Sequence, residues 1–388
     1  MLKRHFGWGL ILILAMAASL QAQYSVLHTF TGPTTDGEQP WGSLILKGTT
    51  LYGMSLYGGA SNAGTIFKIS VEGTGFALLH SFVGGASDGK NPYGSLKLYN
   101  GKLYGMTYAG GANDTGVIFR MNLDGTGFKL LHTFTGGPTD GALPFGSLIF
   151  YSGMFYGMTY RGGASSAGTI FKISPGGIGF KLLHSFAAGA TDGADPRGSL
   201  KLVGTKLYGM TSVGGASNLG TIFRISPSGA GFGLLHSFAG ASSDGSYPWT
   251  GSLVASGSTL YGMTMSGGTA DWGVIFKINT NGAGFALLHS FSLETTDGTS
   301  PVGSLILGGA KLYGMTQVGG ANYYGTIFWI NPNGTGFELL HSFDFDAGAY
   351  PYGDLLGMVS TKYGTMLYGM TNYNNGSNDG VIFSYKLK

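Results

Sequence analysis

Apolar residues in this chain come in short runs, each closed by a turn rich in glycine, and the runs recur in a fixed order. The copy from Gly42 to Phe82 shows the order. Ser43-Leu44-Ile45-Leu46 reads as a first strand (a), and Lys47-Gly48-Thr49-Thr50 as a turn. Leu51-Tyr52-Gly53-Met54-Ser55 is strand b, followed by a loop from Gly58 to Gly64 whose residues tolerate positive φ. Thr65-Ile66-Phe67-Lys68-Ile69 is strand c, β-branched and aromatic. After the turn Glu72-Gly73-Thr74-Gly75, strand d runs from Phe76 to Phe82. Strict alternation places Phe76, Leu78 and Phe82 on one face of strand d and Leu79 on the other. Gly53, inside strand b, is expected where a neighbouring backbone approaches closely. Four short strands with regular turn signals make an all-β unit.

The unit repeats. Tyr-Gly-Met begins at Tyr52, Tyr104, Tyr156, Tyr208, Tyr261, Tyr313 and Tyr368, at spacings of 52, 52, 52, 53, 52 and 55 residues. A four-stranded unit at this period predicts a β-propeller blade. The two ends complement each other. Strand d occurs once before the first full unit, at Tyr24 to Phe30, and the last unit stops after strand c, at Gly380-Val381-Ile382-Phe383. A closed ring explains this complement and a solenoid does not. The expected fold is therefore a seven-bladed propeller over residues 23–388, with four-stranded blades of about 52 residues, closed by the N-terminal strand joining the last blade. No second domain is left over.

The ordered motifs P-x-G-S-L, L-Y-G-M-T, G-G-A, G-T-I-F-K-I, G-x-G-F and L-L-H-S-F resemble the GloVer tandem-repeat family of exported bacterial proteins, over residues 24–384. The resemblance implies export and assigns no activity. Many members carry a C-terminal sorting anchor, and the sequence shows none after the seventh unit. The layout also resembles kelch repeats.

Composition narrows the classes. Lys3 and Arg4, the apolar run Trp8 to Ala18 and the small residue Ala22 read as a signal peptide over residues 1–22, so the protein is expected to be secreted or periplasmic. Without it, 19 cations face 18 anions, a balance that offers nothing to nucleic acid or an anionic membrane. The chain has no cysteine, which excludes disulfides and thiol catalysis. No later run is long enough for a membrane span. No cofactor is expected, and the protein is expected to act as a monomer.

Residues present in every unit are expected to serve architecture. Seven histidines share one place in strand d: His28, His80, His132, His184, His236, His289 and His341. They are expected to be buried imidazoles bonded to a loop backbone or a carboxylate, not a converging metal site. Asp-Gly recurs at Asp36, Asp88, Asp140, Asp192, Asp244 and Asp297 and becomes Asp346-Ala347-Gly348 in the seventh copy. A turn carboxylate capping its own loop accounts for it. No calcium-loop or zinc spacing is present, so no metal is expected.

Residues that break the symmetry are the candidates for function. The d-to-a and b-to-c connections share one end of each blade, the top. The residue after the repeated proline is expected to rim the central channel: Trp41, Tyr93, Phe145, Arg197, Trp249, Val302 and Tyr352. Its bland role is packing between blades. The b-to-c loops carry Asp271-Trp272 in blade five and Tyr323-Tyr324 in blade six. Trp249, Trp272, Tyr323 and Tyr324 are thereby expected on the top of two adjacent blades. Such rings suit stacking on sugars or capture of a peptide, so the expected function is a non-catalytic, secreted recognition propeller with an extracellular glycan or protein as partner. Two alternatives stand beside it. One is a carbohydrate-active enzyme, a glycosidase or lyase, for which Glu38 and Asp195, on equivalent loops of blades one and four, are the slight catalytic candidates. Glu294 and Asp379 are further non-repeated acids on the top, with Asp114 and Asp271. The other is an extracellular scaffold.

Overall fold

The computed structural model describes residues 23–32, 34–362, 364–374 and 379–388. The expected signal peptide lies outside them. Strands are the regular elements, in seven four-stranded sheets and six short two-stranded ladders between the top connections. In blade one they are Ile45–Lys47, Thr50–Ser55, Thr65–Ser70 and Ala77–Ser81, each antiparallel to the next. Blade seven is built from Leu356–Thr361, Gly364–Thr371 and Val381–Lys386, and its fourth strand is the N-terminal Tyr24–Thr29, with Tyr24 opposite Tyr385. The ring closes as the sequence implies.

Each of seven apolar clusters lies between two blades. One joins Tyr52, Met54, Ile66 and Phe82 of blade one to Leu103, Phe119 and Met121 of blade two. Another joins Met366, Tyr368 and Ile382 of blade seven to Leu51, Phe67 and Ile69 of blade one. Both faces of a blade are thus core, which is why its strands are apolar on both sides.

Strand d departs from simple alternation. His80 pairs with Ile66 and Leu78 with Phe67, so one extra residue, Leu79, is bulged between them. The bulge flips the facing. Phe76 and Leu78 pack toward blade seven, while Leu79 and Phe82 pack together toward blade two. Phe82 therefore does not share a face with Phe76 and Leu78.

Two rings of contacts fix the axis. At Gly42 a Cβ would stand 2.3 Å from the carbonyl oxygen of Gly94, and the same contact steps through Gly146, Gly198, Gly251, Gly303 and Gly353 back to Gly42. This is where backbone meets backbone. At Gly53 the close neighbour is instead the ring of Phe67, 2.4 Å from a hypothetical Cβ, so the glycine seats a side chain. In the second ring, Ser43 N–H donates to Ser95 Oγ at 2.8 Å, and the pattern continues through Ser147, Ser199, Ser252 and Ser304. Ser304 N–H donates to Asp354 Oδ1 at 2.5 Å, and Asp354 N–H returns to Ser43 Oγ at 2.9 Å. Because Ser43 spends its N–H on the next blade, regular pairing of strand a starts only at Ile45.

Candidate functional site

The histidines and the Asp-Gly aspartates prove to be halves of one clamp. His80 Nε2 lies 3.1 Å from the Asp88 carboxylate, which also accepts from Val83 N–H at 3.0 Å and Gly89 N–H at 2.7 Å. The imidazole stacks on Phe128 of the next blade at 4.0 Å. Six histidines repeat this pairing at 3.0–3.1 Å. The clamp ties the d-to-a connection down and joins adjacent blades, leaving the rest of that connection to be displayed.

The displayed part is held under strain. The residue before each proline has positive φ in every copy: Gln39, Asn91, Leu143, Asp195, Tyr247, Ser300 and Tyr350, at 51° to 58°. Left-handed geometry is unfavourable for such residues, and it persists where surrounding bonds over-determine it. Here each N–H bonds the preceding blade, as Asn91 to Ala63 O at 2.7 Å, and each carbonyl accepts from its own blade, as from Tyr108 N–H at 3.0 Å. Seven side chains of six kinds are thereby set around the top. No repeat motif marks these positions; the variability just before an invariant proline is the signal that reveals them.

The post-proline residues converge on the axis. Trp41 stacks on Tyr352 at 4.0 Å and meets Tyr93 edge-on at 5.1 Å, and Tyr93 stacks on Phe145 at 4.2 Å. The Arg197 guanidinium lies 3.6 Å over Trp249 and 4.7 Å over Tyr160. Val302 is buried. These residues pack against those of the neighbouring blades, around the mouth of the channel. Burial pushes the Tyr93 and Tyr352 hydroxyls up to about 12, so both remain neutral. The stack roofs a cavity of about 40 Å³ above the serine ring, with space for about two or three waters. Two donors buried there, Trp41 Nε1 and Arg197 Nε, have no acceptor in the protein.

The loop residues divide differently from the expected group of four. Trp249 belongs to the axial stack. Tyr324 is partly buried, stacked on Phe345 at 5.1 Å. Trp272 and Tyr323 stand out, 37% and 50% exposed. Tyr247 and Phe345 join them, at 38% and 37%. Among the described residues these four are the large aromatics classed as exposed, and all lie in top connections from blade four to blade seven.

The acids are mostly occupied. Asp195 pairs with Arg161, whose guanidinium also bonds Tyr160 Oη at 2.7 Å. Asp114 bonds Lys90 at 2.8 Å, which holds its carboxyl below the usual range, and it caps Gly110 N–H at 2.9 Å. Asp271 caps Gly267 N–H at 2.7 Å. Glu38 pairs with Tyr57 in a short top ladder, and burial, then the nearby charge of Asp379, raises its carboxyl. The interacting carboxylates are thus Glu38 and Asp379, while Asp195 is engaged by an arginine. Among the described residues no group of three or more His, Cys, Asp or Glu is placed to hold a metal ion, and no helix is long and apolar enough to cross a membrane.

A seven-bladed propeller with a clamped, strained and aromatic top face is the class these features define. The chain belongs to the Gloeobacter/Verrucomicrobia repeat family, whose model matches residues 4–223 and 196–388. No curated protein matches it. Among solved structures it is similar to an oligogalacturonate lyase in complex with manganese, at 11% identity and TM-score 0.58, covering 96% of this chain and 94% of the other. It is also similar to an oligogalacturonate lyase from Vibrio parahaemolyticus, at 10% identity and TM-score 0.54, covering 96% and 95%. At these identities the likeness concerns the fold alone.

Proposed function

We propose that this is an exported binding protein that takes an extracellular carbohydrate on the top face, over blades five to seven. One observation carries the reading: the four exposed large aromatics, Tyr247, Trp272, Tyr323 and Phe345, gather on one end of the ring and on neighbouring blades. Flat rings with polar neighbours stack on the apolar faces of sugars, as amphipathic aromatics do at recognition surfaces. The His236–Asp244 clamp holds the connection that carries Tyr247, and the Asp271 cap on Gly267 N–H holds the loop that carries Trp272, so less ordering is left to binding there. The Arg197 guanidinium, stacked over Trp249 and Tyr160 with its Nε lacking an acceptor, favours a sugar bearing a carboxylate.

The test is a polysaccharide screen read by tryptophan fluorescence, with neutral glycans and oligogalacturonate, the substrate named for the two similar lyases, among the probes. A ligand that shifts the emission should lose about tenfold or more in affinity in Trp272→Ala or Tyr323→Ala, the loss of about 1.4 kcal/mol of stacking. Stability of both variants should stay within about 0.5 kcal/mol of the parent, because the rings are exposed. Binding unchanged in both variants removes these loops from the site. A ligand that is consumed moves the protein to the enzymes, and Glu38 and Asp379 would then be replaced first.

A further inference from the structure

The channel below the serine ring breaks the repeat in a way the top face does not use. Two residues after the ring serine, strand a carries Ile45, Ile149, Val254, Ile306 and Leu356 in five blades. In blades two and four the same place holds Lys97 and Lys201. Both lysines line a funnel of about 700 Å³ with Ile45, Ile149, Val254 and Ile306, a size within the usual range for small-molecule sites.

Among the described residues no acid forms an ion pair with either ammonium group. The lysine and arginine ion pairs of the described residues are Lys90–Asp114, Arg161–Asp195 and Lys362–Glu72. Asp354, the acid in the lumen, is engaged in the serine ring by Ser304 N–H. Burial, then the charge of Lys97, lowers the affinity of Lys201 for its proton. A cation half-withdrawn from water without a counter-charge is unfavourable, and an aliphatic residue in its place would not be. At the neck, the oxygens of Ser95, Ser147 and Ser199 accept backbone N–H groups from the neighbouring blades, which leaves their hydroxyl hydrogens to donate.

We propose that this funnel is a second ligand site, for a small organic carboxylate with an aliphatic body. The carboxylate lies between Lys97 and Lys201, within reach of the serine hydroxyls, and the body lies along Ile149, Val254 and Ile306. The site is separate from the top face, since the serine ring and the aromatic roof stand between them.

Octanoate and octan-1-ol are the probes, titrated calorimetrically into the purified protein and into Lys97→Met/Lys201→Met. Octanoate should bind saturably and octanol at least about tenfold more weakly, the value of one charge-assisted contact. The double variant should lose that preference while keeping its melting temperature. Lys201, followed by the NMR signal of its side chain, should gain proton affinity when octanoate is added. Trp272→Ala should leave octanoate binding unchanged, which separates this site from the top face. Absence of saturable octanoate binding, equal affinity for octanol, or parental octanoate affinity in the double variant would each overturn the proposal.

Discussion

At six of the seven blade junctions a histidine of strand d stacks on a phenylalanine of the next blade, at 3.7–4.0 Å, and is held by an aspartate eight residues on. At the junction between blades six and seven the histidine is His341, and the residue eight positions on is Ala349. His341 Nε2 is buried and without a partner. Tyr24 of the N-terminal strand takes the phenylalanine's place, stacked at 4.2 Å, and its hydroxyl bonds the Ala347 carbonyl at 2.8 Å. The same junction holds Asp354 where the other blades have serine. The chain ends meet within blade seven, yet the neighbouring junction to blade one is regular, with His28 paired to Asp36. Closing the ring and breaking the repeat are therefore separate events. The odd junction keeps the apolar core and exchanges only its polar ties.

The largest effect should come from that shared core. Phe343 and Phe82 are both fully buried, at the odd junction and at a regular one. Phe343→Ala and Phe82→Ala should each lose about 3–5 kcal/mol in denaturant unfolding, by equal amounts. A clearly smaller loss at Phe343 would show the odd junction to be looser than its packing implies.

Next comes the clamp. Asp88→Ala leaves His80, Val83 N–H and Gly89 N–H without their acceptor, and should cost about 2–3 kcal/mol. Adding Phe128→Tyr should recover part of it if a tyrosine hydroxyl is an adequate substitute tie, as Tyr24 is at the odd junction. No recovery would mean that the connection after His341 is shaped for its tyrosine in a way the regular ones are not.

Acid should find the odd junction. Burial pulls His341 from 6.5 down to about 4, against a smaller opposing pull from Asp344. The unfolded chain then binds the proton and the folded one does not, so stability falls as pH drops from about 6.5 toward about 4. The loss should be about 3 kcal/mol. His341→Phe should remove that slope from the melting temperature profile, and an unchanged slope would place the acid sensitivity elsewhere.

The smallest effect is at Asp354. Burial raises its carboxyl, with bonds from Ser304 and Ser43 opposing. The folded state then holds the proton more tightly, and stability declines as pH rises above the ordinary aspartate value. Asp354→Asn keeps an acceptor for Ser304 N–H without the charge and should melt slightly higher than the parent at neutral pH, but not in acid. A lower melting temperature at neutral pH would mean that the charge itself stabilises the ring.

Much of this was open to reading from residue order. Spacing and the complementary ends are one-dimensional facts, and they led to the blade count and the closing strand. Asp354 and the two lysines were equally visible, as departures from P-x-G-S-L and from the aliphatic place after it, although only the structure shows that they share a channel. The bulge at Leu79 was not legible, because it is a property of how strand d pairs with strand c. The pairing of His80 with Asp88 links two motifs that each looked self-sufficient.

The sequence by itself determined an all-β ring of seven repeated blades, because burial on both faces of every sheet and the self-complementary ends admit one closed arrangement. Tertiary structure decided which of the symmetry-breaking residues meet. Trp41 and Tyr352 are 311 positions apart and stack at 4.0 Å, while Trp249 leaves its expected neighbours for Arg197. Closure sets those neighbourhoods: it brings one residue from each blade to a common axis, where contact depends on radius and angle and not on separation along the chain.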